Sequence, residues 1–313
     1  MQRWRGHDRT PGGWGRSVVT IGVFDGVHRG HQATIAHAVR RARELGVRSV
    51  VVTFDPHPAE VVRPGSHPAV LTESARKAAL VEELGVDGLC VVPFTPEFSR
   101  LSAEAFVHDV LVEHLHATLV MVGSNFRFGH RAAGDVALLE RLGRTFGFGV
   151  EGAPLVSADG TVFSSTYIRS CIAAGDVGAA TAALGRPHRL EGVVVRGDQR
   201  GRELDFPTAN LLCHRYAAVP ADGVYAGWLL RSAERGGDRP RLAAAISIGT
   251  NPTFSGRERR VEAHALDFSG DLYGERMALE FVAHLREQCR FDSIDALIAQ
   301  MNKDVARTRQ VLG

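Results

Sequence analysis

Gly22-Val23-Phe24-Asp25-Gly26-Val27-His28-Arg29-Gly30-His31 is the stretch on which the reading of the fold turns. It joins an apolar, β-branched run, Val18 to Phe24, to a segment in which Ile35, Val39, Ala42 and Leu45 recur at helical spacing. A strand therefore passes into a helix here, and Gly46 supplies a left-handed stop at the far end. At such a junction the first backbone N–H groups of the helix can bind an anion, and glycine lets a phosphate approach the main chain closely. His28 and His31 share one side of the first turn. Both imidazoles can donate hydrogen bonds to phosphate oxygens, where charge develops as the bond to a leaving pyrophosphate stretches. A lone histidine more often caps or packs. The pair, Gly30 and the junction together favour phosphate chemistry.

Outward from that motif, Arg48 to Phe54, Leu89 to Phe94, Leu119 to Gly123 and Gly149 to Leu155 are short apolar runs suited to strands buried on both faces. Helices fit Thr72 to Leu84, Ser102 to Leu115 and Asp135 to Phe146, with Thr72, Ser102 and Asp135 as N-caps. Strands joined by crossover helices dictate a parallel α/β sheet with ligands outside its carboxyl edge. After Gly185-Arg186-Pro187 the texture changes. Val193 to Val195, Val224 to Leu230, Ala243 to Ile248, Val261 to Phe268 and Met277 to Leu285 are strand-like with no long helix between them, which predicts an antiparallel barrel. From Ser293, the residues Ile294, Leu297, Ile298, Met301, Val305 and Leu312 mark one face of a closing helix packed on that barrel. Arg231 to Arg241 reads as a polar loop.

The chain has 313 residues, enough for two domains with cores of their own. A net charge of +2 argues against nucleic acid or an acidic membrane as partner. Lys77 and Lys303 are its only lysines, and no Gly-x4-Gly-Lys-Ser/Thr run exists, so a P-loop is excluded. Cys90, Cys171, Cys213 and Cys289 lie too far apart for a CxxC pair or a zinc cluster and read as reduced, mostly buried thiols. No apolar run approaches the roughly 18 residues of a membrane span, so a cytoplasmic protein is expected. Arg3, Arg5, Arg9 and Arg16, interspersed with glycine, tryptophan and proline, read as a solvated leader over residues 1–16.

Two further segments belong at the carboxyl edge of the parallel sheet. Gly123-Ser-Asn125-Phe126-Arg127-Phe128-Gly129 follows a strand, and Ser164-Ser165-Thr166-Tyr-Ile-Arg169 opens a late helix. Hydroxyls and amides at a helix start with arginine one turn on make a triphosphate clamp, although a serine pair alone is an ordinary N-cap. Phe54-Asp-Pro56-His57-Pro is a weaker signal, a stiff loop in which His57 could equally be a surface residue. In the carboxyl half, Gly197-Asp-Gln-Arg-Gly201-Arg202-Glu-Leu-Asp205-Phe-Pro207-Thr208-Ala-Asn210 pairs a glycine-bearing loop with a strand. The loop can wrap a polyphosphate through its amides. Thr208 and Asn210, two apart, offer two neutral oxygens to a hard cation such as Mg2+. A β-turn before a strand would explain the glycines and proline but not that pair. Glu262 is a carboxylate in an otherwise apolar strand, and by itself such a residue is commonly just exposed.

Taken in order, GVFDGVHRGH, FDPHP, GSNFRFGHRAAGD, SSTYIR, PTANL, IGTNPTF and VEAHALDFSGDLYG resemble the prokaryotic bifunctional riboflavin kinase/FMN adenylyltransferase (FAD synthetase) family, from about Trp14 to the carboxyl end. The resemblance implies a Rossmann-like nucleotidylyltransferase domain over residues 17–185 and an antiparallel barrel riboflavin kinase domain with a C-terminal helix over 186–313. It implies that His28 and His31 stabilise the transferring phosphate. Gly22, Phe24, Asp25, Gly30 and Asn125 then contact the nucleotide, and Ser164, Ser165, Thr166 and Arg169 hold the ATP tail. Phe54, Pro56, His57, Phe126, Arg127 and Phe128 are implied at the flavin. In the second domain it implies Gly197, Gly201, Arg202, Pro207, Thr208 and Asn210 at the nucleotide, Thr208 and Asn210 at Mg2+, and Glu262 as the base that activates the ribityl hydroxyl. The implied partners are riboflavin, FMN and ATP, and the implied state is a monomer or weak homo-oligomer. The family usually has glycine where this chain has Asp205, a departure that bears on ATP affinity by strain or like-charge repulsion. Rival readings are a kinase with an inactive transferase domain, a flavin-binding regulator without turnover, and adenylyl transfer to another small phosphate.

Overall fold

The computed structural model describes residues 1–153, 156–158, 160–197, 204, 206–231, 241–253 and 256–313, with backbone alone for 251–253 and 256–258. It divides into two compact units, Met1–Pro68 with Thr72–Ser164, and Ala69–Leu71 with Ser165–Gly313.

The first unit is built on a parallel sheet of six strands, β1 (Gln2–Arg5), β2 (Ser17–Ile21), β3 (Arg48–Asp55), β4 (Gly88–Pro93), β5 (Ala117–Gly123) and β6 (Gly149–Ala153), in the order β1-β4-β3-β2-β5-β6. The crossovers carry α1 (Arg29–Leu45), α2 (Pro58–Val62), α3 (Ser74–Glu83), α4 (Ala103–Phe106) and α5 (Val136–Phe146). A small hairpin of β7 (Ser157–Ala158) and β8 (Thr161–Val162) follows. All five residues of β2 are buried, because neighbours pair on both sides and helices cover the faces. Complete burial of Val18 and Val19 contributes about 1.5–3 kcal/mol per side chain.

The expected parallel sheet is present, with differences at its ends. β2 stops at Ile21 rather than Phe24, since Phe24 (φ +49°) and Val27 (φ +39°) turn the chain through left-handed backbone. Gly46 closes α1 in the left-handed region, at φ 64°, as the pattern required. Ser102 and Asp135 cap their helices by accepting from the N–H of Ala105 and Leu138. Thr72 does not cap α3. Its own N–H is committed to the Asp25 carboxylate at 3.1 Å, and Glu73 takes the cap position. The helix expected over Ser102 to Leu115 widens after Phe106 into a π-helical stretch, Val107–His114.

Residues 1–16 are not the solvated leader expected of them. β1 pairs with β4, Arg5 ion-pairs with Asp55 at 2.6 Å, and Trp14 is buried against Trp4 with ring centroids 4.9 Å apart. A Cβ at Gly88 would lie 2.7 Å from Trp14 and 2.8 Å from Trp4, so glycine makes room for both indoles. Of the cysteines, Cys90 and Cys171 are buried and Cys289 is exposed. Burial pushes the Cys90 thiol up to about 12, which keeps it protonated and inert.

The second unit holds α6 (Ser165–Ala173), α7 (Val177–Leu184) and a closed antiparallel barrel of β9 (His188–Val195), β10 (Ala209–Cys213), β11 (Gly223–Arg231), β12 (Arg241–Thr253), β13 (Gly256–Ala265) and β14 (Arg276–Arg286). The barrel order is β10-β13-β12-β11-β14-β9, with Tyr225, Leu229, Ile246 and Phe281 among the residues filling it. β13 ends at Ala265, short of Phe268, because Asp267 takes a left-handed φ of 57°. α8 (Ile294–Leu312) is capped by Ser293 and packs on the barrel through the expected face, on which Leu297, Met301, Val305 and Leu312 are half-buried; Ile294 alone departs. Its buried residues are Asp304 and Thr308, while Ile294 is 63% exposed. Asp304 receives Arg286 of β14 at 2.7 Å and Gln300 at 2.9 Å, so the helix docks through a satisfied ion pair. Among the described residues no helix is long and apolar enough to cross a membrane.

Candidate functional sites

The glycine-histidine motif sits at the carboxyl edge of the parallel sheet, between β2 and α1. His28 is the N-cap of α1, 5% exposed, and its Nδ1 accepts from the His31 N–H at 3.4 Å, a long and weak bond. An Nδ1 that accepts leaves Nε2 as the donor. The His28 and His31 rings stack with centroids 3.6 Å apart and planes at 25°, and Phe24 stands edge-on to His31 at 5.1 Å. Both imidazoles therefore sit at one helix N-terminus, as their spacing required. A Cβ at Gly30 would lie 3.1 Å from the His28 ring, and one at Gly22 would lie 3.0 Å from the Phe24 ring. Both glycines hold space for the aromatic rings. Asp25 is buried and accepts from Thr72, so it braces the turn. Left-handed backbone at Phe24 and Val27 costs on the order of 1–3 kcal/mol per residue, a strain found mostly where a site needs it.

Other predicted residues lie at neighbouring strand ends. Asn125 is exposed in the turn after β5, where the Phe126 N–H donates to Gly123 O. Pro56 and His57 connect β3 to α2, and His57 caps α2 by accepting from Ala59. Phe54 and Phe126 belong to one aromatic series. Phe54 meets Phe94 and Phe98, Phe98 meets Phe106, Phe106 meets Phe128, and Phe126 stacks on Phe128 at 5.5 Å. Phe128 is 6% exposed and belongs to the core, so it backs this wall rather than facing solvent. Arg127 is exposed and 3.6 Å from the Asp135 carboxylate. Phe94, Phe98 and Phe106 extend the series beyond the residues expected at the flavin, although their clustering after β4 is visible in the chain.

The Ser164 segment begins close to the motif, since Phe163 O would lie 3.6 Å from a Cβ on Gly30. Ser165, Thr166 and Arg169 are in the second unit on α6, where Arg169 Nε donates to Ala69 O at 2.6 Å.

In the barrel, Asn210 on β10 stands directly opposite Glu262 on β13, and Glu262 stands opposite Ser247 on β12. Ala209, Leu211, Val261 and Ala263 belong to the core, so alternation sends Asn210 and Glu262 together to the other face. Directly opposed residues have Cβ atoms about 4.5–5.5 Å apart, close enough for amide and carboxylate to serve one substrate. A Cβ at Gly197 would lie 2.5 Å from the Asn210 amide nitrogen, so the glycine is what lets that amide lie against the loop. Gly197, Pro207, Thr208, Asn210 and Asp271 line a cavity of about 680 Å³. Ala263 and Ala265 of β13 also line it, whereas Glu262 is not among the lining residues and is placed by its register opposite Asn210. His264, unforeseen in the sequence, fixes Pro207 through a ring hydrogen bond to its carbonyl at 2.9 Å. Gly201, Arg202 and Asp205 lie outside the described residues.

With this geometry established, comparison with known proteins is informative. The family described as FAD synthetase matches residues 11–167, and that described as riboflavin kinase matches residues 184–312. A bifunctional riboflavin kinase/FMN adenylyltransferase of Pseudomonas fluorescens is 43% identical over 293 residues, covering 93% of this chain and 92% of the relative. A protein of the same description from Escherichia coli (strain K12) is 37% identical over 296 residues, covering 95% and 93%. A solved structure described as a macrolide-efflux protein from Streptococcus pneumoniae superposes with a TM-score of 0.88 at 31% identity, covering 99% of both chains.

Proposed function

Because the chain belongs to the bifunctional riboflavin kinase/FMN adenylyltransferase family, it phosphorylates riboflavin to FMN and adenylylates FMN to FAD, and we propose the residues that carry each step. Residues 17–185 serve adenylyl transfer and 186–313 the kinase, in a cytoplasmic protein that is a monomer or weak homo-oligomer.

In the kinase step, Glu262 accepts the proton of the ribityl hydroxyl while that oxygen bonds to the γ-phosphorus of ATP and the bond to ADP breaks. The ladder position of Glu262 opposite Asn210 is the observation that carries this assignment. Thr208 and Asn210 present hard, neutral oxygens on a shared cavity wall, and Gly197 leaves room for the amide, a donor set that fits Mg2+. Bound there, Mg2+ would neutralise charge on the ATP phosphates. Gly197 would supply a backbone amide to the same phosphates.

In the adenylyl step, an FMN phosphate oxygen bonds to the α-phosphorus of ATP and the bond to pyrophosphate breaks. His28 and His31 donate hydrogen bonds to the phosphate oxygens as negative charge accumulates, helped by the positive end of the α1 dipole. Ser164, Ser165, Thr166 and Arg169 hold the ATP tail. Gly22, Phe24, Asp25, Gly30 and Asn125 shape the nucleotide side. The Phe54 and Phe126 wall, with Pro56, His57 and Arg127, meets the isoalloxazine.

The test is a chromatographic product assay with riboflavin and with FMN as separate starting substrates. Riboflavin and Mg-ATP give FMN and then FAD, FMN and Mg-ATP give FAD and pyrophosphate, and EDTA stops both. Formation of neither flavin product would reject the assignment. A sharper prediction concerns the metal site. Gly197→Ala drives a methyl group into the Asn210 amide, so riboflavin kinase activity falls by about 10-fold or more and its Mg2+ requirement rises, while FAD formation from supplied FMN is unchanged. A Mg2+ titration of both activities measures this.

A further inference from the structure

Lys77 is one of two lysines in a chain whose other side-chain cations are arginines and histidines, and it is 8% exposed on α3. Its Nζ donates to the carbonyl oxygen of Val23 at 2.9 Å, and that oxygen also accepts from Thr53 Oγ1 at 3.0 Å. Val23 is the last residue before the left-handed Phe24, and the strained turn it opens leads directly to His28. The turn has further anchors: the Asp25 carboxylate accepts from Thr72, and Val27 O accepts from Gln32 Nε2 at 2.8 Å. Lys77 is the cation among these anchors, and like the Asp25 carboxylate it is buried. Desolvation lowers its pKa, opposed by Asp25 and then Asp55. A compact ammonium on a flexible stem can satisfy one buried carbonyl where a planar guanidinium fork would demand more room and more acceptors. Ordinary packing does not call for an ammonium here, since an apolar side chain of similar volume would fill the space without desolvating a charge.

We infer that Lys77 is a positioning residue for adenylyl transfer, clamping the Val23 carbonyl so that the turn holds His28 and His31 toward the reacting phosphate. The inference rests on the assignment of those histidines to this step. Lys77 acts through the turn, so its loss misplaces the donors of the transition state more than it weakens the binding of ATP.

The experiment is Lys77→Met in the full chain, with kcat and KM for FMN adenylylation measured beside riboflavin kinase activity and melting temperature in the same preparation. The expected result is a kcat for FAD formation lowered about 10- to 100-fold, a KM for ATP changed by less than about twofold, and an unchanged kinase rate. An unchanged kcat overturns the inference, as does a loss shared equally by both activities. Should Lys77→Met fail to fold, Thr53→Val removes the other donor to the same carbonyl at constant volume. It lowers the same kcat about threefold, and no change there overturns the inference. His28→Ala is assayed in parallel. If it retains full transfer, the histidine assignment itself falls and takes this inference with it. If it loses transfer while Lys77→Met does not, only the role of Lys77 is lost.

Discussion

A chain carrying His28→Ala forms FAD from FMN about 100- to 1000-fold more slowly than the parent, the cost of removing one preorganised donor from a developing oxyanion. The double variant His28→Ala/His31→Ala falls to background. Its riboflavin kinase activity persists, because the imidazoles belong to the parallel-sheet unit and the kinase residues to the barrel. His28 is the N-cap of α1 and stacks on His31 at 3.6 Å. The single substitutions are therefore coupled, and the second imidazole contributes less once the first has gone. Steady-state assays with FMN and with riboflavin separate the two activities. Normal FAD formation by the double variant would remove the basis of the assignment.

Glu262→Gln has an effect of similar size in the other activity. Glutamine keeps the volume and one carbonyl oxygen opposite Asn210 but cannot take a proton from the ribityl hydroxyl. Loss of a positioned general base lowers kcat by about 100- to 10,000-fold, whereas KM for riboflavin moves little because the contact surface is retained. FAD production from supplied FMN continues at the parental rate. Riboflavin phosphorylation at full rate by this variant would show that the hydroxyl needs no carboxylate here.

The residues that made the fold legible were those with a single physical use. Gly46 could only stop a helix, Ser102 and Asp135 could cap one, and the alternation of short apolar runs with amphipathic stretches specified a parallel sheet. Residues with several uses were misread. Thr72 looked like a cap, but its amide was needed by Asp25. Phe128 was implied at the flavin by resemblance alone, yet tertiary packing placed it in the core. Ile294 looked like a packing residue, but it is exposed, and α8 docks also through the buried Asp304, whose half-buried partner Arg286 lies on the preceding strand, a pairing that helical periodicity cannot indicate. The opposition of Asn210 and Glu262 likewise depends on a strand register set by barrel closure. Lys77 carried no motif at all, and its importance emerged only from the carbonyl it reaches.

The four-residue ribbon β1 is also cladding for its neighbour. Arg3 and Arg5 on it are paired with Glu82 and Asp55, so the outer rim of the sheet presents charge and a very short strand to other molecules. That arrangement discourages sheets of different molecules from joining rim to rim. Removing residues 1–16, which look dispensable on paper, would bare the main-chain groups of Gly88 to Val91 and take away an indole from the interior. The shortened product would be self-adhesive, a liability for anyone designing an expression boundary at the start of β2.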